Sequence, residues 1–245
     1  MPDSPLLASR FGGVLTLSFN NPSARNALTQ PMGAALIGAL AEAADDPSVV
    51  AVVLTGQPPA FCAGQDHAVL RALTPDNVGD WVHALGRLYD AIRAFPKPMV
   101  AAIGGAAAGA GLQMALCCDR RIASPAARLM QPELRAGLSS IMGPMLIGLY
   151  AGQAAMQRLA LACEALDAPT GQAMGLIDQV VPEDGLLAQA RAAALAMAGT
   201  DATAFRLTKA WIRHMSEPAF RDAIEGGIAA QREAVASGAV KRALG

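Results

Sequence analysis

One stretch limits what this chain can fold into more than any other: Met99-Val-Ala-Ala-Ile-Gly-Gly-Ala-Ala-Ala-Gly-Ala-Gly-Leu-Gln-Met-Ala-Leu-Cys-Cys-Asp119. Met99 to Ile103 is a continuous apolar run and reads as a buried strand, small residues follow from Gly104 to Gly111, and Leu112 to Cys118 reads as a helix ending near Asp119. Nothing large projects from the small-residue run, so its backbone can lie close to another group. The first N–H groups of the helix lack internal partners and sit at the positive end of its dipole. They can bind an oxygen carrying negative charge. The other reading is a glycine-rich turn that only packs a helix onto a sheet.

The rest of the chain alternates strands and helices around this centre. Val14 to Phe19 alternates apolar and polar residues and reads as a half-buried strand. Asn20-Asn-Pro22 turns the chain, and Thr29 caps a helix with Pro31 in its first turn and Met32, Leu36, Ile37 and Leu40 on one face. Val49 to Leu54 reads as a strand buried on both faces. Ala60 to Asp66 is a second small-residue bend, with Asp66 placed to cap the segment beyond it. A long amphipathic helix spans Asn77 to Ala94, carrying Trp81 and Tyr89, which with Trp211 further on read as core or lid residues. Short strands follow at Arg121 to Ser124 and Arg128 to Gln131, a bend at Pro132 to Gly137, and helical sequence from Gly143 to about Ala162. Leu166 to Met174 reads as a helix ended by Gly175, Leu176 to Val181 as a strand, and Asp184 to Ala236 as helices broken near Gly199 and Pro218. The pattern predicts an α/β core followed by a helical C-terminal region.

Composition narrows the class. Only 16% of the 245 residues are charged and the net charge is −1, with Lys and Arg scattered, so nothing asks for nucleic acid or an acidic membrane. So few charges predict that part of the surface is covered by another subunit. Cys62, Cys117, Cys118 and Cys163 form no CxxC pair or His/Cys cluster, so neither zinc, nor any other metal site, nor a disulfide framework is expected. With no signal peptide and no membrane-spanning run, a cytoplasmic enzyme is the default expectation.

Three segments together resemble the enoyl-CoA hydratase/isomerase family, the crotonases. Asn21-Pro-Ser-Ala-Arg-Asn-Ala-Leu28 is similar to the family's N-terminal signature, Phe61-Cys-Ala-Gly-Gln-Asp66 to its first oxyanion loop, and Ile103 to Asp119 to its second, with Gln131-Pro-Glu133 at the expected distance beyond. The resemblance runs from about Val14 to about Ser237. It implies a crotonase-like spiral of ββα turns over residues 1–183 and a helical oligomerisation region over 184–245 that assembles homotrimers or dimers of trimers. The implied substrate is an acyl thioester of coenzyme A, with no permanently bound cofactor. The N–H groups of Gln65 and Ala110 would hold the thioester oxygen as it becomes an enolate. Glu133 would act as acid and base beside Gln113. Arg25, Ala27, Ala63, Gly64, Gln65, Asp66 and Ala110 would contact CoA or substrate.

Each assignment has a plainer reading alongside it: Glu133 as a surface turn residue, Arg25 as a solvated charge, Asp66 as a helix cap, and Cys62 as a packing residue. Ala110 stands where the family most often has glycine, and is strained if that position needs a positive φ. The larger departure is Gln113, at the place where hydratases of the family carry a second glutamate. Glutamine orients water but cannot take its proton. Moving a double bond from the 3 to the 2 position needs only one base, so the residues favour 3-enoyl-CoA isomerisation over hydration of a 2-enoyl-CoA. A non-catalytic binding homologue, for example one that binds RNA, is the alternative of another class. Ser139 and Ser140 either reach the pocket or simply turn the chain, and Lys241 and Arg242 are candidates for a CoA contact from the C-terminus.

Overall fold

A computed structural model of the chain describes residues 4–245. A six-stranded sheet runs in the order β1 (Leu6–Phe11), β2 (Val14–Phe19), β3 (Ala51–Gly56), β5 (Met99–Ile103), β7 (Arg120–Ala123) and β10 (Gln179–Val180). Only β1 and β2 are antiparallel neighbours. A second sheet holds β4 (Ala60–Cys62), β6 (Ala106–Ala108), β8 (Arg128–Met130) and β9 (Leu166–Asp167), the last of them antiparallel. Strands β3, β5 and β7 of the first sheet are each followed by a short strand of the second (β4, β6 and β8) and then by helix, which makes the ββα spiral.

The helices are α1 (Gln30–Asp45), α2 (His67–Arg71), α3 (Val78–Ala94), α4 (Ala110–Cys117), α5 (Met142–Met156), α6 (Ala168–Ala173), α7 (Leu186–Ala198), α8 (Ala202–Ala236) and α9 (Ala239–Leu244). Thr29 caps α1 by accepting from the Met32 N–H, and Met32, Leu36 and Leu40 are buried at the helical spacing read from the sequence. They join Leu17 and Phe19 of β2, Ile92 of α3 and Leu112 of α4 in the main core. On the sheet's other face, Val53, Val100 and Ile122 pack against Leu186, Ala190 and Ala194 of α7.

Several expectations change. Strand β2 is buried at all six positions rather than half-buried, because α1 covers one face and α7 the other. Its hydroxyls are satisfied there: Thr16 accepts from Arg191 Nε at 3.2 Å and Ser18 from Gln57 Nε2 at 2.9 Å. The 166–174 segment is not one helix, since Leu166–Asp167 pairs with β8 and Asp167 then caps α6 through the Thr170 N–H. The strand expected over 176–181 shrinks to β10, because the N–H groups of Leu176 and Ile177 turn back to the Gly171 carbonyl. Helix α8 runs through Pro218 without ending. Tertiary contacts hold it on both sides: Arg93 of α3 pairs with Glu217 at 3.5 Å and lies over the Phe220 ring at 3.9 Å. Strand β1 and helix α9 were not expected, and the small-residue runs after Pro59 and Gly104 contain strands β4 and β6.

Candidate active site

The site is built on two backbone bends. In the first, residues 24–28 run beside 63–66: Ala63 N–H donates to Arg25 O at 3.0 Å, Leu28 N–H to Gly64 O at 2.7 Å, and Asp66 N–H to Leu28 O at 3.1 Å. Asn26 fixes this bend. It is fully buried with φ +56°, a conformation asparagine tolerates better than most residues. Its Oδ1 accepts from the Asn21 N–H at 2.9 Å, and its Nδ2 donates to the carbonyls of Gln57 and Ala60, both at 2.7 Å. Replacing Asn26 with alanine removes the partner of three backbone groups, one buried and two part-buried, so Asn26→Ala is expected to lower stability by about 2–3 kcal/mol. A denaturant midpoint unchanged from wild type would show that the clamp is dispensable.

The second bend turns from β6 into α4 at Gly109, whose backbone (φ +49°, ψ −118°) is open only to glycine. Ala110 therefore sits at the first helical position without positive φ, and its methyl carries none of the strain foreseen. The two bends meet: a Cβ built on Gly64 would lie 4.0 Å from Ala110 N. Neither the Gln65 N–H nor the Ala110 N–H has an acceptor among the described residues. Both donors border one cavity of about 120 Å³, with Ala63 and Gly64 beside them.

Glu133 opens a 3-10 turn (Glu133–Ala136) and enters the same cavity, where it is the sole carboxylate of the described wall. Its two oxygens are inequivalent. Oε1 accepts from Gln113 Nε2 at 2.9 Å and from Gln131 Nε2 at 2.5 Å, whereas Oε2 is buried with no partner. Burial pushes the carboxyl up to about 7, against the opposing pull of its backbone hydrogen bond and of Gln113. That places it among the groups that can exchange a proton near neutral pH. Trp81, Val82, Leu85 and Tyr89 of α3 and Ala223 and Gly227 of α8 form the opposite, mostly apolar wall.

The other candidates lie around this centre. Asp66 caps α2 through the Ala68 N–H at 2.7 Å, Arg25 is exposed, and neither they nor Ala27 line the cavity. Ser139 ties the loop to α8, exchanging hydrogen bonds with Gln231, while Ser140 accepts from Gln131 beside the cavity. Helix α9 closes over the Glu133 turn, with Val240 packed on Leu70, Leu73 and Leu138. Arg242 is turned to the Ser237 carbonyl at 2.8 Å. The four cysteines are free and buried, and burial pushes the Cys62 and Cys117 thiols up to about 12. Gln131 was missed as a site residue. It touches Glu133 only because Gly143 of α5, having no Cβ, leaves room for its amide.

Comparison with known proteins meets this geometry. The profile describing enoyl-CoA hydratase/isomerase matches residues 10–244. The chain belongs to the enoyl-CoA hydratase/isomerase family. It is 32% identical to the 2,3-dehydroadipyl-CoA hydratase of Escherichia coli over 94% of this chain and 88% of that protein. It is 33% identical to the carboxymethylproline synthase of Pectobacterium carotovorum over 80% of this chain and 79% of that protein. The crystal structure of an enoyl-CoA hydratase/isomerase from Pseudoalteromonas atlantica superposes with a TM-score of 0.87 at 30% identity, covering 98% of this chain and 95% of that one. As a member of the enoyl-CoA hydratase/isomerase family the chain is an enzyme, a hydratase or an isomerase, and the family's chemistry is that of CoA thioesters. No helix among the described residues is long and apolar enough to cross a membrane.

Proposed function

We propose that the enzyme isomerises a 3-enoyl-CoA to the 2-enoyl-CoA with Glu133 as its single acid/base. The observation that carries this reading is the amide at position 113: the group facing Glu133 can donate a hydrogen bond but cannot accept a proton from water. Glu133 Oε2 takes a proton from C2, the electrons pass into the thioester, and the N–H groups of Gln65 and Ala110 hold the dienolate oxygen. Each such donor is worth roughly 3–4 kcal/mol, by comparison with oxyanion-hole deletions. Oε2 then returns the proton to C4, the double bond ends between C2 and C3, and no water is consumed. The two amides on Oε1 leave Oε2 to carry the proton. In this reading Arg25, Ala27, Ala63, Gly64 and Asp66 form the stretch along which CoA lies, and coenzyme A is present only as part of the substrate.

The test is to supply a 3-enoyl-CoA and follow the absorbance of the conjugated thioester. Its appearance with wild type and loss with Glu133→Gln is the expected result. Consumption of a 2-enoyl-CoA by wild type at a comparable rate would favour the hydratase reading instead. Gln113→Glu puts a second carboxylate against Glu133 and is expected to raise hydration at least tenfold, since a positioned base contributes about 10²–10⁴. No gain would mean that water is kept out by the cavity itself.

The 184–245 region is proposed to carry subunit contacts in a homotrimer or dimer of trimers. Leu207, Trp211, Ile212 and Met215 of α8 are 56–71% exposed, an apolar surface unusual for a chain with so few charges. Sedimentation equilibrium returning a monomer at micromolar concentration would count against assembly.

A further inference from the structure

Tyr89 poses a question that packing alone does not answer. Its ring is 1% exposed in the main core and lines the cavity, yet its hydroxyl has no hydrogen-bond partner. Phenylalanine would fill the same space, and buried tyrosine hydroxyls normally find an acceptor. Burial raises the phenol well above its ordinary value, and Cys117, Glu133 and Cys62 raise it further, so the group stays a neutral donor. A second donor borders the same cavity. Trp81 Nε1 donates to Gln65 Oε1 at 3.3 Å, which fixes the orientation of that carboxamide and leaves its Nε2 with no acceptor among the described residues.

We infer that the acyl group this enzyme takes carries a hydrogen-bond-accepting oxygen beyond its reacting carbons, received by the Tyr89 hydroxyl and the Gln65 Nε2. The inference rests on the acyl-CoA reading above and names the class of acyl chain. The described cavity wall holds no Lys or Arg, has His67 as its one basic side chain, and already contains one carboxylate. The oxygen is therefore neutral, a ketone or a hydroxyl, because a chain-terminal carboxylate would be buried beside Glu133 with neither Lys nor Arg to pair with.

The experiment measures binding, so it does not depend on turnover. Hexanoyl-CoA, its 4-oxo, 5-oxo and 5-hydroxy congeners, and adipyl-CoA are titrated into wild type and Tyr89→Phe by calorimetry. Wild type is expected to bind at least one neutral oxygenated chain about tenfold more tightly than hexanoyl-CoA, the gain expected from one buried hydrogen bond. Tyr89→Phe is expected to bring that ratio close to one, with a melting temperature no lower than wild type. Equal affinity for hexanoyl-CoA and every oxygenated congener would overturn the proposal. So would a preference that survives the substitution, a preference for adipyl-CoA, or a fall in melting temperature, which would reveal a structural partner for the hydroxyl. Preserved oxygen selectivity without isomerisation would remove the reaction assigned above and leave this inference standing. If no acyl-CoA binds, both fall.

Discussion

Glu133→Gln is expected to lower kcat for double-bond migration about 10³-fold, within the 10²–10⁴ range for a positioned acid/base, while the CoA thioester still binds. Wild-type kcat/KM should rise with pH and level off above about 7, because the base must be ionised and burial holds its carboxyl near that value. The substitution should remove this limb. The same burial makes a stability prediction of definite sign. The folded carboxyl titrates at about 7 against an ordinary 4.5, so the native state favours the protonated form. The resulting stability is complete below pH 4.5 and is lost as pH rises through 7. At about 1.4 kcal/mol per tenfold in affinity for the proton, ionising Glu133 costs on the order of 3 kcal/mol. Glu133→Gln should therefore match wild type in acid and exceed it by about that amount at pH 8 in denaturant titrations. A variant equally stable at both pH values would mean that the carboxylate is solvated and the site misread.

Gly109→Ala should have the second largest effect, and it acts through the backbone. The residue's φ of +49° and ψ of −118° exclude a side chain, and the added Cβ would stand 3.0 Å from Glu133 Oε1. The strain alone is worth about 1–3 kcal/mol. Relieving it turns the Ala110 N–H away from the substrate oxygen and pushes on the base, so kcat/KM should fall about 10²-fold or more, the loss expected for one missing oxyanion donor. Circular dichroism should show the fold retained. A variant that loses stability but keeps wild-type kcat/KM would separate the bend from catalysis.

These two residues differ in how legible they were. Glu133 stood out only through the family resemblance, in which Gln131-Pro-Glu133 lies at the expected distance beyond the second oxyanion loop; taken alone it also read as a surface turn residue. The turn at Gly109 was readable as a close approach, but not its partner, which turned out to be a carboxylate 24 positions later. Gln131 was legible only as a neighbour of Glu133. Its role depends on Gly143 arriving from α5, and nothing in local spacing records that. Asn26 was read as part of a motif, while its clamp on Gln57 and Ala60 depends on a chain crossing some thirty residues away.

Local chemistry, then, was enough for the longer strands and helices and their order, though not for β1, β4, β6, β9 or α9: strand and helix periods, caps such as Thr29 and Asp66, and the two small-residue bends. It also set the one functional asymmetry that matters most, an amide rather than a carboxylate at position 113. The tertiary structure alone decided what those groups face. Packing α7 over the sheet buried a strand that alternates, and contacts from α3 carried α8 straight through a proline. Closing α3 and α8 over the bends left Glu133 Oε2 and the Tyr89 hydroxyl without partners. Burial and desolvation depend on residues far apart in the chain, and so does the proton affinity of a carboxyl, whereas turn and cap preferences depend on a few neighbours.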